Sequence, residues 1–383
     1  MRVSERCEIF DSGRCRSCSL LPRQYSEQIL LKEELLRTTL AAVTDSSTDF
    51  QRMITASPAF ASRNKTKMAV GGSIEAPRLG YVRQDQTVED LEGCPLYPAP
   101  IPALLSAVRR GITKYRLAPY SIQKDKGELK HVIIRASEAS GEALVRLVLR
   151  SRAELSRAEA LLQALQDQFP AVVVTSVNFQ PVRTAIIEGE EELVLSERST
   201  IVEQYDRYRF PLSPQSFSQV TSGVAVQLYQ AAAKVVAQRR PKTVLDLFCG
   251  VGAFSLFASP YVEKVLGVEL SSQAISNAIE ATRMNQISNA TFLAADVGTF
   301  LQQLKTPYEA VIVNPPRRGL GPEICKQLMP NVGELLLYSS CNSETLAKDL
   351  RELSAQFSVR EVTPFDMFPN TPHMEVLVEL HRR

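Results

Sequence analysis

The 383-residue sequence predicts an α/β protein in which a doubly wound sheet fills the C-terminal part and a smaller α+β domain precedes it. From Phe210 onward, strand, turn and helix patterns repeat in order, as they do when parallel strands are joined by crossover helices. Within that stretch an apolar strand beginning at Val244 runs into Gly250 and Gly252, which free the backbone for a tight turn. Ala253 to Leu256 then open a helix whose first N–H groups would face a ligand. Before Phe210, helices and strands do not alternate regularly, which is α+β organisation. The chain is too long for one core, so two domains are expected, 1–210 and 211–383, with the helix after Cys18 free to pack on the second.

Composition narrows the classes. A hydrophobic share of 44% and a charged share of 22% are those of a soluble globular protein. No apolar run approaches the ~18–20 residues of a membrane span, and the start, Met1-Arg2-Val3-Ser4-Glu5-Arg6-Cys7, lacks the apolar segment of a secretory signal. A cytoplasmic location with no membrane contact is expected. The net charge of +2 gives no argument for nucleic acid, but its distribution does. Between Arg109 and Arg135, eight Lys or Arg residues stand against Asp125 and Glu128, with Tyr115 and Tyr120 interleaved. Such a stretch can neutralise phosphates and offer stacking faces, or it can be a solvated helix and a polar loop. Arg63, Lys65 and Lys67 add three cations upstream.

Taken in order, the first domain opens with Cys7, Cys15 and Cys18, a C-x7-C-x2-C cluster, and a fourth cysteine, Cys94, stands before Pro95. Four thiolates can close a tetrahedral site, and spacing alone leaves zinc and an iron–sulfur cluster both open. The total of seven cysteines, an odd number, disfavours a disulfide framework. A helix is expected over Ser26–Val43, with Leu30, Leu31, Leu35, Leu36 and Leu40 on one face. Strands follow at Lys67–Gly71, Leu79–Arg83, Val132–Arg135, Ala143–Arg150 and Val172–Phe179, with a helix over Arg152–Gln168.

In the second domain Val244–Phe248, Lys264–Leu270, Thr291–Asp296, Ala310–Asn314 and Glu334–Ser340 read as strands, spaced by helices such as Ser272–Asn285 and Ser343–Leu353. Ligands bind outside the carboxyl ends of such strands, which directs attention to Asp246–Gly250, Glu269, Asp296, Asn314 and Cys341. Glu269, 19 residues after Gly250, is placed to hold a ribose diol, and Asp296 to accept from an adenine amine or to cap a helix. These features suit NAD as well as S-adenosylmethionine. In Asn314-Pro315-Pro316-Arg317-Arg318-Gly319 two prolines fix a rigid turn that aims Asn314 at the pocket, as in methyltransferases acting on planar nitrogen or carbon centres, and the arginines can meet a phosphate. Cys341 falls where the fifth strand yields to a helix, a place where a thiolate is favoured, whereas Cys249 and Cys325 read as buried and inert. A last strand, His373–Leu380, carries Glu375 among apolar neighbours.

Asp246-Leu-Phe-Cys-Gly-Val-Gly252, Asn314-Pro-Pro-Arg-Arg-Gly319, Ser340-Cys-Asn342 and His373-Met-Glu375 together resemble the RNA uracil-C5 methyltransferases, in order and over almost the whole chain. Phe10-Asp-Ser-Gly-Arg-Cys15, Cys94-Pro-Leu-Tyr97 and Phe365-Asp-Met-Phe-Pro369 are similar to the short subfamily without a TRAM domain, which methylates 23S rRNA at uracil 747. The resemblance implies a Rossmann-like class I methyltransferase domain behind an iron–sulfur, RNA-binding domain. It also implies S-adenosylmethionine contacts at Gln219, Phe248, Glu269, Asp296 and Asn314, a nucleophile at Cys341, a base at Glu375, and [4Fe–4S] ligands at Cys7, Cys15, Cys18 and Cys94. The chain departs from the pattern at Val220-Thr-Ser-Gly223 and at Ala253, near the cofactor pocket and away from the catalytic pair.

The implied chemistry needs this combination. Uracil C5 is too weak a nucleophile until a thiolate adds at C6 and turns the ring into an enolate. C5 then accepts the methyl group, and a base removes the C5 proton so that the thiolate can leave. The expected partner is therefore a 23S rRNA loop with a flipped-out uracil, since a stacked base is out of reach. Methylation of another rRNA or tRNA uridine, and a non-catalytic RNA-binding protein on the same fold, are the competing readings; the latter would lose Cys341 and Glu375, and both are present.

Overall fold

The computed structural model describes residues 7–56 and 58–383; the stretch Met1–Arg6, where a secretory signal would begin, lies outside them. The chain begins with α1 (Glu8–Asp11), α2 (Tyr25–Leu40) and β1 (Asp49–Phe50). There follow β2 (Lys65–Gly72), β3 (Pro77–Val82), β4 (Val88–Asp90), α3 (Ile101–Tyr115), β5 (Leu129–Ala136), β6 (Ala143–Leu149), α4 (Leu155–Gln168), β7 (Val172–Phe179) and β8 (Glu191–Val194). A ribbon of β9 (Ile201–Tyr205) and β10 (Tyr208–Leu212) leads to α5 (Ser222–Arg239). The remainder is β11 (Thr243–Leu247), α6 (Ala253–Ala258), β12 (Lys264–Glu269), α7 (Ser272–Met284), β13 (Ala290–Ala294), α8 (Val297–Gln303), β14 (Tyr308–Val313), α9 (Gly321–Leu328), β15 (Val332–Ser340), α10 (Ser343–Leu353), β16 (Phe357–Phe365) and β17 (Glu375–Arg382).

Two compact units result, and their boundary is not a single cut near residue 210. The first unit holds the N-terminal residues to Cys18 and Pro58–Gln204, with Leu212–Pro214; the stretch beginning at Ser19, which includes α2 and β1, belongs to the second. The reason is backbone pairing: β1 lies parallel to β16, Asp49 opposite Glu361, and so extends the second unit's sheet.

In the first unit seven strands run in the order β4-β3-β2-β5-β6-β7-β8, with β6 and β7 parallel and the other pairs antiparallel. Alternation decides its faces. Met68 and Val70 of β2, Val132 and Ile134 of β5, and Val145 and Leu147 of β6 bury against α3 and α4, through Leu104, Val108, Ile112, Leu161 and Leu165. The intervening residues, Lys67, His131, Arg135 and Arg146 among them, point to the opposite face. Tyr115 packs against the core and Tyr120 is buried beneath Lys130 and Arg150, so neither offers the stacking face expected of it. Arg109 is paired with Asp90 and Glu92 rather than free for phosphate, and Arg135 is buried.

The second unit has eight strands in the order β1-β16-β17-β15-β14-β11-β12-β13. The strands β11 to β15 are parallel, and β17 is inserted antiparallel between β15 and β16. Leu245, Leu247, Val311, Val313, Leu336 and Val376 form its core with residues of α8, α9 and α10.

Helix α2 buries a different face from the one its leucines suggest. Leu36 and Leu40 are buried, but Leu30 is 57% and Leu35 44% exposed, and the inward stripe is completed by Gln28 and Lys32. Spacing of four residues puts Gln28, Lys32, Leu36 and Leu40 on one line. Lys32 Nζ donates to Asp366 Oδ1 at 2.6 Å, to the Phe368 carbonyl at 3.1 Å and to the His373 carbonyl at 3.0 Å. Asp366 Oδ2 accepts from Tyr25 at 2.6 Å, and Gln28 exchanges bonds with Asn370. The polar residues are inside because their partners are the carbonyls and carboxylate of the loop that delivers Glu375.

Lys32→Met should therefore destabilise the protein by about 3–5 kcal/mol, since it leaves a buried carboxylate without its cation. Urea unfolding followed by circular dichroism measures this, and Lys32→Met with Asp366→Asn should recover part of the loss.

Candidate active site

The carboxyl ends of β13, β12, β11, β14 and β15 lie side by side along one edge of the sheet. Where β11 ends, Phe248 adopts φ +60°, Gly250 φ +54° and Gly252 φ +83°, and a Cβ on Gly252 would sit 2.7 Å from the Phe292 ring. Asp246, fully buried, pins this turn: its Oδ2 accepts from Ser255 N at 3.0 Å and Ser255 Oγ at 2.6 Å. Among the described residues its Oδ1 has no hydrogen-bond partner, and burial, reinforced by the Glu269 charge, pushes the carboxyl up to about 7. Glu269 closes the turn from β12, accepting from Gly250 N at 3.3 Å and Ser271 N at 3.0 Å.

Asp296 caps α8. Its Oδ1 accepts from Thr299 N at 2.9 Å and Thr299 Oγ1 at 3.1 Å, and these bonds hold the carboxyl below its usual range. Capping therefore occupies one oxygen of this residue. Asn314 follows β14, its N–H donating to the Leu247 carbonyl at 3.3 Å and so tying two strand ends together. Gln219 is buried in a segment held on either side by Asn277 to Ser216 at 2.7 Å and by Thr221 to the Met367 carbonyl at 2.9 Å. Phe248, Glu269, Asp296 and Asn314 thus fall on neighbouring strand ends, and Gln219 precedes α5.

The antiparallel register brings the other two site residues together. Ser339 pairs with Leu377 and Ser340 with Val376, so continuation by one residue sets Cys341 opposite Glu375 on the same face. Glu375 is 1% exposed, accepts from Ser339 Oγ at 2.6 Å, and is pushed up by burial to about 7. The Cys341 thiol is half-buried. Its pKa is raised by burial and by the Glu375 charge, with the Arg317 guanidinium opposing both. Cys249 and Cys325 are buried, and burial drives the Cys325 thiol up to about 12, which leaves it inert.

Two residues beside this pair escape a reading of the sequence alone. Arg317, which the sequence offered as able to meet a phosphate, lies against the Cys341 thiol; its carbonyl accepts from Asn342 Nδ2 and Thr345 Oγ1, both at 3.1 Å. Ser339 is two residues before the cysteine, which on a strand means the same face, and only the order of the strands reveals that Glu375 is its partner. Buried Asp349 holds the proline loop in place, accepting from Leu320 N at 2.7 Å, Gly321 N at 3.0 Å and Tyr338 Oη at 2.6 Å.

Cys7, Cys15, Cys18 and Cys94 all lie in the first unit. The Cys94 thiol is pushed up to about 11, chiefly by burial, and each of the other three adds to the rise; Cys18 is raised by burial and by Cys15 and Cys7, against Arg63. Among the described residues, no three Cys, His, Asp or Glu side chains converge closely enough to hold a single metal ion.

Comparison with known proteins gives this arrangement its class. A solved structure of Pyrococcus abyssi tRNA (uracil-54, C5)-methyltransferase in complex with S-adenosyl-L-homocysteine matches 95% of this chain and 85% of that one, with a TM-score of 0.79 at 23% identity. The fold is that of an S-adenosylmethionine-dependent methyltransferase. The family model for tRNA (uracil-5-)-methyltransferase matches residues 128–383. The 23S rRNA (uracil(747)-C(5))-methyltransferase RlmC of Yersinia enterocolitica is 39% identical over 376 residues, 97% of this chain and 98% of that protein. The Escherichia coli K12 protein of the same name is 39% identical over 375 residues, 98% and 99% of the two chains. The chain belongs to the RNA uracil-C5 methyltransferase family. Among the described residues, no helix is long and apolar enough to cross a membrane.

The raised carboxyl of Glu375 has a measurable sign. The folded protein keeps its proton up to about pH 7, whereas the unfolded chain releases it near 4.5, so its contribution to stability is full below 4.5 and lost as pH rises towards and through 7. Glu375→Gln removes that loss. Relative to wild type, the variant should gain stability steadily between pH 4.5 and 7.5, measured as the difference in urea midpoints; a difference independent of pH would place the ordinary value on Glu375.

Proposed function

We propose that the protein methylates uracil C5 in 23S rRNA, at the position for which its relatives are named, uracil 747. The observation that carries this reading is the register that sets Cys341 opposite Glu375. S-adenosylmethionine supplies the methyl group as a sulfonium electrophile, with Gln219, Phe248, Glu269, Asp296 and Asn314 as its contacts. The Cys341 thiolate adds to C6 of a flipped-out uracil, and the electron pair this releases into the ring makes C5 the nucleophile. Arg317 stabilises the thiolate before addition and after release. Once C5 carries the methyl group, the Glu375 carboxylate takes the C5 proton, the C5–C6 double bond returns, and the bond from C6 to sulfur breaks. A base near pH 7 is matched to that task, and Ser339 holds it in place.

Cys7, Cys15, Cys18 and Cys94 fit a [4Fe–4S] cluster as thiolate ligands. Support comes from their lying in one unit and from the electrostatic influence of Cys18, Cys7 and Cys15 on the Cys94 thiol and of Cys15 and Cys7 on the Cys18 thiol, which requires proximity; four cysteine thiolates are the usual ligand set of such a cluster. Protein purified without air should be brown and carry about four iron atoms per chain. A colourless preparation with stoichiometric zinc would overturn that assignment.

The two catalytic residues are separated by what accumulates. Cys341→Ala should abolish methylation and adduct formation while cofactor binding stays nearly intact. Glu375→Gln should still add and still transfer the methyl group, then stall, leaving a protein–RNA adduct that survives denaturation and already carries the methyl. Electrophoresis under denaturing conditions and mass spectrometry of the RNA read both outcomes. Methylation by Cys341→Ala, or turnover of Glu375→Gln at the wild-type rate, would refute these roles.

A further inference from the structure

The face of the first unit's sheet opposite α3 and α4 carries a groove of about 970 Å³. Its floor is formed by Lys67, Ala69 and Gly71 of β2, Arg78 of β3 and His131 of β5. One wall is the segment from Tyr120 to Lys124, and the other runs from Arg183 to Ile187. We propose that this groove binds the phosphodiester backbone of a single-stranded segment of the RNA substrate, an inference that rests on RNA being the substrate.

Charge is the first argument. Five of the described lining residues are Lys or Arg, namely Lys67, Arg78, Lys124, Lys130 and Arg183, and none is Asp or Glu. They divide into two roles. Lys67 pairs with Glu188 at 2.5 Å, and Lys130 donates to the Gln180 and Val182 carbonyls at 2.9 and 2.8 Å. These two cations build the groove. Arg78, Lys124 and Arg183 are exposed and, among the described residues, in no ion pair, which leaves their charge for a polyanion.

The walls are fixed rather than loose. Glu188, held down to about 2 by Arg146 and Lys67, anchors the chain just after the second wall onto the sheet. Gln123 Nε2 donates to the Asp85 carbonyl at 2.6 Å, and Arg183 donates to Gln86 Oε1 at 3.3 Å. Apolar side chains stand at the rim: Val82, Val182 and Ile186 are exposed, the last at 67%. A groove with unpaired cations within and exposed aliphatic groups beside them suits a single strand, whose phosphates are neutralised while its unpaired bases lie against apolar surface. Arg110, Lys114 and Arg116, which the sequence groups with Lys124, lie on or at the end of α3, on the other side of the sheet.

The test compares two triple variants of the full-length protein on a 23S rRNA fragment containing the uracil 747 loop. Arg78→Gln/Lys124→Gln/Arg183→Gln should weaken binding at least about 10-fold at 0.15 M salt. It should also flatten the dependence of log affinity on log salt by about 2, from roughly 0.7 per lost phosphate contact on a single strand. Arg110→Gln/Lys114→Gln/Arg116→Gln should keep the wild-type slope. Unfolding midpoints and cofactor binding should match wild type in both. Photocrosslinking of wild type to the same fragment carrying 4-thiouridine should label peptides containing residues 78–82, 120–124 or 183–187. An unchanged slope in the groove variant, or crosslinks confined to α3, would overturn the proposal. Failure of the wild-type protein to methylate the fragment or intact 23S rRNA would instead count against the function it rests on.

Discussion

The proposed reaction depends on one constraint, the burial of a carboxylic acid between two strands. Glu375 begins β17, and pairing with β15 on one side and β16 on the other removes it from water. A carboxyl in that position keeps its proton to about pH 7, so its anion is a stronger base than a solvated glutamate. Burial also puts its charge within reach of the Cys341 thiol and raises that thiol in turn. A guanidinium is then needed to favour the thiolate, and Arg317 meets that need from the neighbouring strand end. The proposed nucleophile, base and counter-charge follow from the placement of three strand ends, β15, β17 and β14.

Holding those ends still is the work of buried polar groups remote in sequence. Lys32 gathers a carboxylate and two carbonyls of the loop from Asp366 to His373, so helix α2 fixes the approach to Glu375. Asp349 gathers two backbone N–H groups and the Tyr338 hydroxyl, so α10 fixes the exit from Asn314-Pro-Pro. Asp246 does the same for the glycine turn. Such groups contribute little net stability when satisfied, but removing one partner leaves an uncompensated charge or dipole in the interior, which restricts the loops to one geometry.

How much of this was legible depended on whether the signal was local. The turn at Gly250 and Gly252, the proline pair after Asn314 and the cysteine at the end of β15 each announce themselves within a few residues, and strands β11 to β15 were read to within a few residues of their ends. Long-range partners stayed hidden. The leucines of α2 suggested an apolar stripe, yet the buried line runs through Gln28 and Lys32 because their partners lie more than 330 residues away. The helix after Cys18 was left free to pack on the second domain, and α2 does belong to the second unit, but the short strand β1 that follows it and pairs with β16 had no local signal. β16 was not recognised, and without it the antiparallel insertion of β17, and hence the link from Ser339 to Glu375, could not be seen. In the first unit the sequence groups cations that the fold divides, since a sheet separates α3 from the segment holding Lys124.

The assignment of covalent and proton-transfer roles is tested most directly with the same RNA fragment carrying 5-fluorouridine at position 747. Fluorine in place of the C5 hydrogen leaves Glu375 no proton to remove, so the adduct formed by Cys341 persists after methyl transfer. Proteolysis and mass spectrometry should find one peptide, containing Cys341, bearing a nucleotide with both fluorine and the transferred methyl. A modified peptide containing Cys249 or Cys325, or methyl transfer with no protein–RNA bond, would contradict the account.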